Sequence, residues 1–186
     1  MNWLQRVFGS SRRVTVKSPL ELKSPKIGFL NLLGSTGRSS LEEDKAALGP
    51  IFPASEVSDT AMPQCDVLLI YAQAGSDGRL IGSEDGLRGL IRKANAVIAI
   101  LASPNEPNNL IAAGKPAGYG QANLVLTINR KGPAFARFFA ELFRKMYRGT
   151  TMPVAWVELA PQNPRAQHGN CPETIFLAEV SHIVFQ

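Results

Sequence analysis

The chain has 186 residues, 45% hydrophobic and 19% charged, a length and composition that suit one domain with a sizeable core and exclude global disorder. Its formal net charge of +5 belongs to the N-terminus: residues 1–26 hold Arg6, Arg12, Arg13, Lys17, Lys23 and Lys26 against Glu21 alone, and the other 14 basic and 14 acidic residues balance. A folded nucleic-acid reader carries its basic stripe on the folded body, so no specific nucleic acid is expected as a partner.

Residues 1–25 read as a basic arm and 26–186 as a single α/β domain. Trp3, Leu4, Val7 and Phe8 can share a helical face beside Arg6, Arg12 and Arg13, which would allow membrane contact. A short docked helix or a loose tail is the plainer reading, because a turn or two buries little apolar area. The start lacks the apolar run of a secretory signal, and Cys65 and Cys171 are the only cysteines. A reduced, cytoplasmic protein is expected. The runs "VLLIYA" and "AVIAILA" are too short to span a bilayer.

Taken along the chain, residues 26–33 ("KIGFLNLL") predict a buried strand. Ser39 and Ser40 precede Glu42 and Glu43 by three positions, a capping-box spacing that predicts a helix start, with Gly49-Pro50 as its stop. Residues 51–64 read as loop. Residues 65–72 form a second apolar strand, and Ser83 is placed as the cap of a helix whose Leu87, Leu90, Ile91 and Ala94 share a face. A third strand covers 96–102, then a turn, and at most a short helix closed by Gly114. A fourth strand covers 123–128. Pro133 opens an amphipathic helix with Phe135, Phe138, Phe139, Leu142, Phe143, Met146 and Tyr147 on one stripe, ended by Gly149. Residues 151–161 suit either helix or strand, and the C-terminal "TIFLAEVSHIVF" reads as extended, an edge strand. Apolar strands alternating with amphipathic helices predict a three-layer α/β sandwich around a mostly parallel sheet of five or six strands. Ligands in such sheets bind beyond the carboxyl ends of the strands, where strand order switches.

Those ends carry the candidate residues. Gly34, Ser35, Thr36, Gly37, Arg38 and Ser39 combine conformational freedom, hydroxyls and a cation before a helix N-terminus, as a phosphate loop does. Against this, Glu42 and Glu43 would occupy the first turn, and the spacing fits neither a P-loop nor G-x-G-x-x-G. The loop is similar to the S/T-x-T-G-x-S/T phosphate loop of flavodoxins but one residue short. Gln73, Arg79, Asn129, Arg130 and Lys131 would complete a site for a small anionic ligand. "AAGKP" is not a Walker motif, since Pro116 follows Lys115. Ser103 stands at the third strand's end without a G-x-S-x-G elbow, and Asp77 in "SDG" is a turn residue or its carboxylate partner. Glu84 and Asp85 read as first-turn helix-dipole partners. Cys65 reads as a core thiol, and His168 with Cys171 lacks a second ligand pair, so no metal is expected. No cofactor is singled out.

"LIYAQAG" (69–75), "VIAILASPNE" (97–106) and "PAFARFFAELFRKMYRG" followed by "TTMPVAW" together resemble the caspase-like domains of the CHAT type. That family places a histidine after one strand and a cysteine after the next. Ala74 stands where the histidine would be, and Ser103 or Pro104 where the cysteine would be. The resemblance spans roughly residues 26–160 and implies a caspase-like fold without the peptidase chemistry, a flavodoxin-like arrangement being the alternative for the α/β sandwich. Three readings remain open: a non-catalytic binding or regulatory domain, a caspase-like pseudo-enzyme with an unidentified protein partner or small ligand; a phosphate- or nucleotide-binding protein; and a serine hydrolase using Ser103.

Overall fold

Apolar side chains on both faces of a strand force cover from both sides, and the computed structural model shows how that cover is built. It describes residues 20–115, 122–160, 171–180 and 182–186. A six-stranded sheet runs in the order β3 (Ala54–Ser58), β2 (Lys26–Asn31), β4 (Val67–Tyr71), β5 (Ile98–Leu101), β6 (Asn123–Asn129), β7 (Glu173–Leu177). All neighbours pair parallel except β6 and β7, which pair antiparallel with a bulge between Thr127 and Asn129. A separate parallel pair joins β1 (Leu20–Leu22) to β8 (Ile183–Phe185). The folded unit therefore takes in Leu20–Leu22, which composition groups with the basic arm.

Helices α1 (Ser35–Leu48), α4 (Ala134–Tyr147) and α5 (Met152–Leu159) cover one face, and α2 (Leu87–Ala94) and α3 (Pro107–Ala113) the other. Alternation along β4 divides the core: Val67, Leu69 and Tyr71 join the α1/α4 side, Leu68 and Ile70 the α2/α3 side. The α4 stripe packs as aromatics. Phe143 lies 5.1 Å from Phe52 and 5.8 Å from Phe185, ring centre to ring centre. The fold is thus the expected three-layer α/β sandwich. Numbered by appearance, the five parallel strands of the large sheet lie in the order 2-1-3-4-5, which is flavodoxin-like and puts the switch point between β2 and β4.

Several local expectations are corrected. Helix α1 starts at Ser35, with Gly34 as N-cap, so Ser39 and Ser40 are helix interior and the capping box is not used. Residues 51–64 are not all loop: Ala54–Ser58 is the edge strand β3, and Gly49–Ile51 is a single 3-10 turn. Its polarity hid it, since an edge strand needs no apolar run. The N-cap of α2 is Gly86, and Ser83 Oγ instead accepts from the Asp85 amide at 3.1 Å. Glu84 and Asp85 therefore precede the helix, and Asp85 takes a bond from Lys93. Pro133 occupies the N-cap of α4, one position before the helix. Residues 152–159 are helix, because that lets Trp156 stack on Phe176 at 4.6 Å while meeting Phe138 at 5.0 Å.

The crossover from β3 to β4 has no helix. It runs as a loop, and Pro63 and Cys65 lie against Gly28 of β2: a Cβ there would come within 2.6 Å of Cys65 Sγ and 2.9 Å of Pro63. Cys65 is the buried core thiol expected, and burial pushes its pKa up to about 12.

Candidate functional site

The carboxyl ends of β2, β4, β5 and β6 bring their loops to one edge of the sheet, and three side-chain clusters form there. The first centres on Asn31, the last residue of β2 and fully buried. Its Nδ2 donates to the Gly34 carbonyl at 2.8 Å and to Asp59 Oδ1 at 3.3 Å, and its Oδ1 accepts from the Leu33 amide at 3.1 Å. These bonds turn the chain so that Gly34 takes φ 58, ψ −129, and α1 follows at once. Gly37 lets the helix approach, since a Cβ would sit 2.4 Å from Asn31 Oδ1. Thr36 donates its hydroxyl to the Leu33 carbonyl at 2.7 Å. Arg38 donates to Asp59 Oδ2 at 2.7 Å, while Ser35 and Ser39 stand exposed. Because the helix starts early, its first turn carries no acidic residue, and Glu42 and Glu43 lie two turns in.

The second cluster joins the loops after β4 and β5 through Asn105. Its Oδ1 accepts from the Ala74 amide at 2.7 Å, and its Nδ2 donates to the carbonyls of Ser103 at 2.9 Å and Ala72 at 3.2 Å. Gln73 adds a bond to the Pro104 carbonyl at 2.9 Å, and Asn109 one to the Ala74 carbonyl at 2.8 Å. Ala74 and Ser103 are 4% and 3% exposed. The loop after β4 then makes a small hairpin, with bridges from Ala74 to Leu80 and from Arg79 to Gly86. Asp77 shapes its turn, accepting from the Arg79 amide at 3.0 Å, and Gly78 (φ 81) seats the tip on α3, where a Cβ would meet Ala112 backbone at 2.6 Å. Arg79 points out at that tip, 3.7 Å from Asp77.

The third cluster is buried. Arg130 forks onto Asp44 of α1, with Nη2 to Oδ1 at 2.8 Å and Nη1 to Oδ2 at 2.9 Å, and Nη1 also donates to the Ala102 carbonyl at 2.9 Å. Tyr71 OH donates to Asp44 Oδ2 at 2.7 Å, and the guanidinium lies 4.0 Å from the Phe135 ring centre. Helices α1 and α4, strand β4 and the residues just past β5 and β6 meet in this bidentate, stacked arrangement, for which arginine is the fitting cation. Burial raises the Asp44 pKa against the opposing pull of Arg130, and burial also holds the Tyr71 hydroxyl well above its ordinary range. Asn129 stays exposed and accepts from the Lys131 amide at 3.0 Å, and Lys131 pairs with Glu173 at 2.7 Å.

The sequence-derived candidates thus separate. Gly34–Ser39 form one wall with Asn31 and Asp59; Gln73 and Ser103 share the Asn105 cluster; Arg130 lies beneath, engaged with Asp44; Arg79 is displaced to the hairpin tip. Asn31, Asp44, Asp59 and Asn105 were not among the candidates. Asn31 could have been found as the polar residue closing "KIGFLN", and Asp44 as an acid at helical spacing from Leu41 and Leu48. Cys171 is half-buried, with its thiol pKa raised by burial, and His168 lies outside the described residues. His182 heads β8, in the two-stranded sheet. Among the described residues no group of three or more His, Cys, Asp or Glu is placed to hold a metal, and no helix is long and apolar enough to cross a membrane. No family model, no curated protein and no solved structure matches the chain.

Proposed function

We propose that the chain is a non-catalytic α/β domain that binds a protein partner or small ligand, a pseudo-enzyme of caspase-like architecture in the cytoplasm. The observation that carries this reading is the Asn105 cluster. It links the backbones of Ala74 and Ser103, the positions the resemblance assigns to a histidine and a cysteine, through one neutral amide. An amide has no proton-accepting nitrogen at neutral pH, so this bridge supplies no general base. Asp77, the carboxylate that could have served Ser103, is spent on the hairpin turn and on Arg79. A panel of fluorophosphonate activity probes is expected to leave every serine of the native protein unmodified. Covalent labelling at Ser103 that disappears in Ser103→Ala would overturn the reading in favour of the hydrolase.

A second reading, an anionic small ligand at the switch point, is favoured by the start of α1. Its first turn has no acidic residue and sits where 2-1-3-4-5 sheets hold ligands. Nucleotides or flavins at millimolar concentration would then raise Tm by mass action. No shift with any of them removes this reading and leaves the first.

A further inference from the structure

An apolar groove of about 470 Å³ runs between α3 and β7, away from the strand ends. It exists because α3 is a seven-residue helix, too short to cover the edge strand. Ile175 and Leu177 of β7 are consequently only partly buried on that face. Ile111 is 60% exposed on the opposite wall. Gly114 holds the floor open: a Cβ there would come within 2.9 Å of Leu126 and 3.5 Å of Leu177.

Two ionic side chains line the groove, Lys115 and Glu179, and they differ. The Glu179 carboxylate is neutralised, accepting from both Arg88 Nη atoms and from the Ala122 amide at 3.3 Å. Lys115 has no ion pair with any described carboxylate. The remaining segments, 1–19, 116–121, 161–170 and Ser181, contain no Asp or Glu at all. Among the described residues the lining is therefore an apolar trough with one unpaired cation.

We infer that this groove binds an amphipathic monoanion, an unbranched acyl chain ending in a carboxylate, with the tail along Ile111, Ile175 and Leu177 and the head group at Lys115. Its volume falls within the range of small-molecule sites, and a few polar groups on an apolar lining are what fix orientation in such sites. The site is independent of the strand-end reading above.

Titration calorimetry of the full chain with dodecanoate below its micelle concentration tests this. One molecule is expected to bind, each methylene removed in decanoate and octanoate weakening binding about three- to fourfold. Dodecyltrimethylammonium, with the same tail and opposite charge, is expected to bind at least about tenfold more weakly, the scale of one charge-assisted contact. Lys115→Ala should erase that preference, and Ile111→Glu should abolish binding of both. Both side chains are exposed, so the variants should keep the parent circular dichroism. Equal binding of the two amphiphiles, or dodecanoate binding unchanged in Ile111→Glu, overturns the proposal. So does a dimer in sedimentation velocity that Ile111→Glu dissociates while dodecanoate fails to bind, which would give the groove to a second copy of the chain.

Discussion

Arg130 shows how much one side chain can decide at this sheet edge. As a residue near a strand end it reads as a ligand contact, but Arg130 is 6% exposed and its guanidinium is fixed by Asp44, the Ala102 carbonyl and the Phe135 ring. Arg130→Ala would leave the Asp44 carboxylate buried without its cation. The expected loss in urea denaturation is about 3–5 kcal/mol, while replacing both partners by apolar residues should cost far less. Cys65 makes a different prediction. Burial pushes its folded pKa up to about 12, above the ordinary thiol value of 9.0. The thiol form thus stabilises the fold below pH ~9, and that contribution is lost as pH rises through about 12. Tyr71, also raised, acts in the same direction. Stability should therefore fall on the alkaline side, and Cys65→Ala should make that fall shallower. In the native protein at pH 8, Cys65 should resist iodoacetamide while the half-buried Cys171 reacts first.

Helix α1 carries the lesson at the scale of elements. Serine-to-glutamate spacing places its start at Ser39 or Ser40, yet it begins at Ser35. Glycines at 34 and 37 look like loop residues, but they have separate tasks. Gly34 takes a backbone shape that a Cβ resists, and Gly37 clears space for the Asn31 side chain. Gly34→Ala should cost about 1–3 kcal/mol, the range for a strained backbone position. Ser40→Ala should stay within about 0.5 kcal/mol, as a half-buried helix-interior change. A cap-sized loss of about 1 kcal/mol in Ser40→Ala would instead restore the later start. Element types were legible wherever periodicity was strong, as in β4, β5, β6 and α4. They were illegible in β3, whose exposed polar residues carry no alternation, and ambiguous in α5, which is apolar nearly all round.

Across the whole molecule, stability should grade outward from the middle of the sheet. β4 and β5 are buried along their full length and paired on both sides, whereas β3 and β7 are edges and β1 and β8 form a pair of three residues each. Native-state hydrogen exchange should be slowest at Val67–Tyr71 and Ile98–Leu101 and much faster in β3, β7 and β1. Protection in β7 equal to that of β4 would mean that its edge is covered in solution. The salt bridge of Arg88 with Glu179 belongs at this scale too, because it ties the segment after β7 to α2 across the sheet's outer strands.

The sequence by itself determined the α/β class, the parallel core strands, the aromatic stripe of α4 and the edge of the sheet where loops converge. Those features follow from local apolar periodicity, which is written residue by residue. Only the tertiary structure decided which polar residues serve one another. Asn31 with Asp59, Asn105 with Ala74 and Ser103, and Arg130 with Asp44 are separated by 28, 31, 2 and 86 positions. A hydrogen bond depends on distance in space, and except for the short step to Ser103, that distance is fixed only when the strands have found their order.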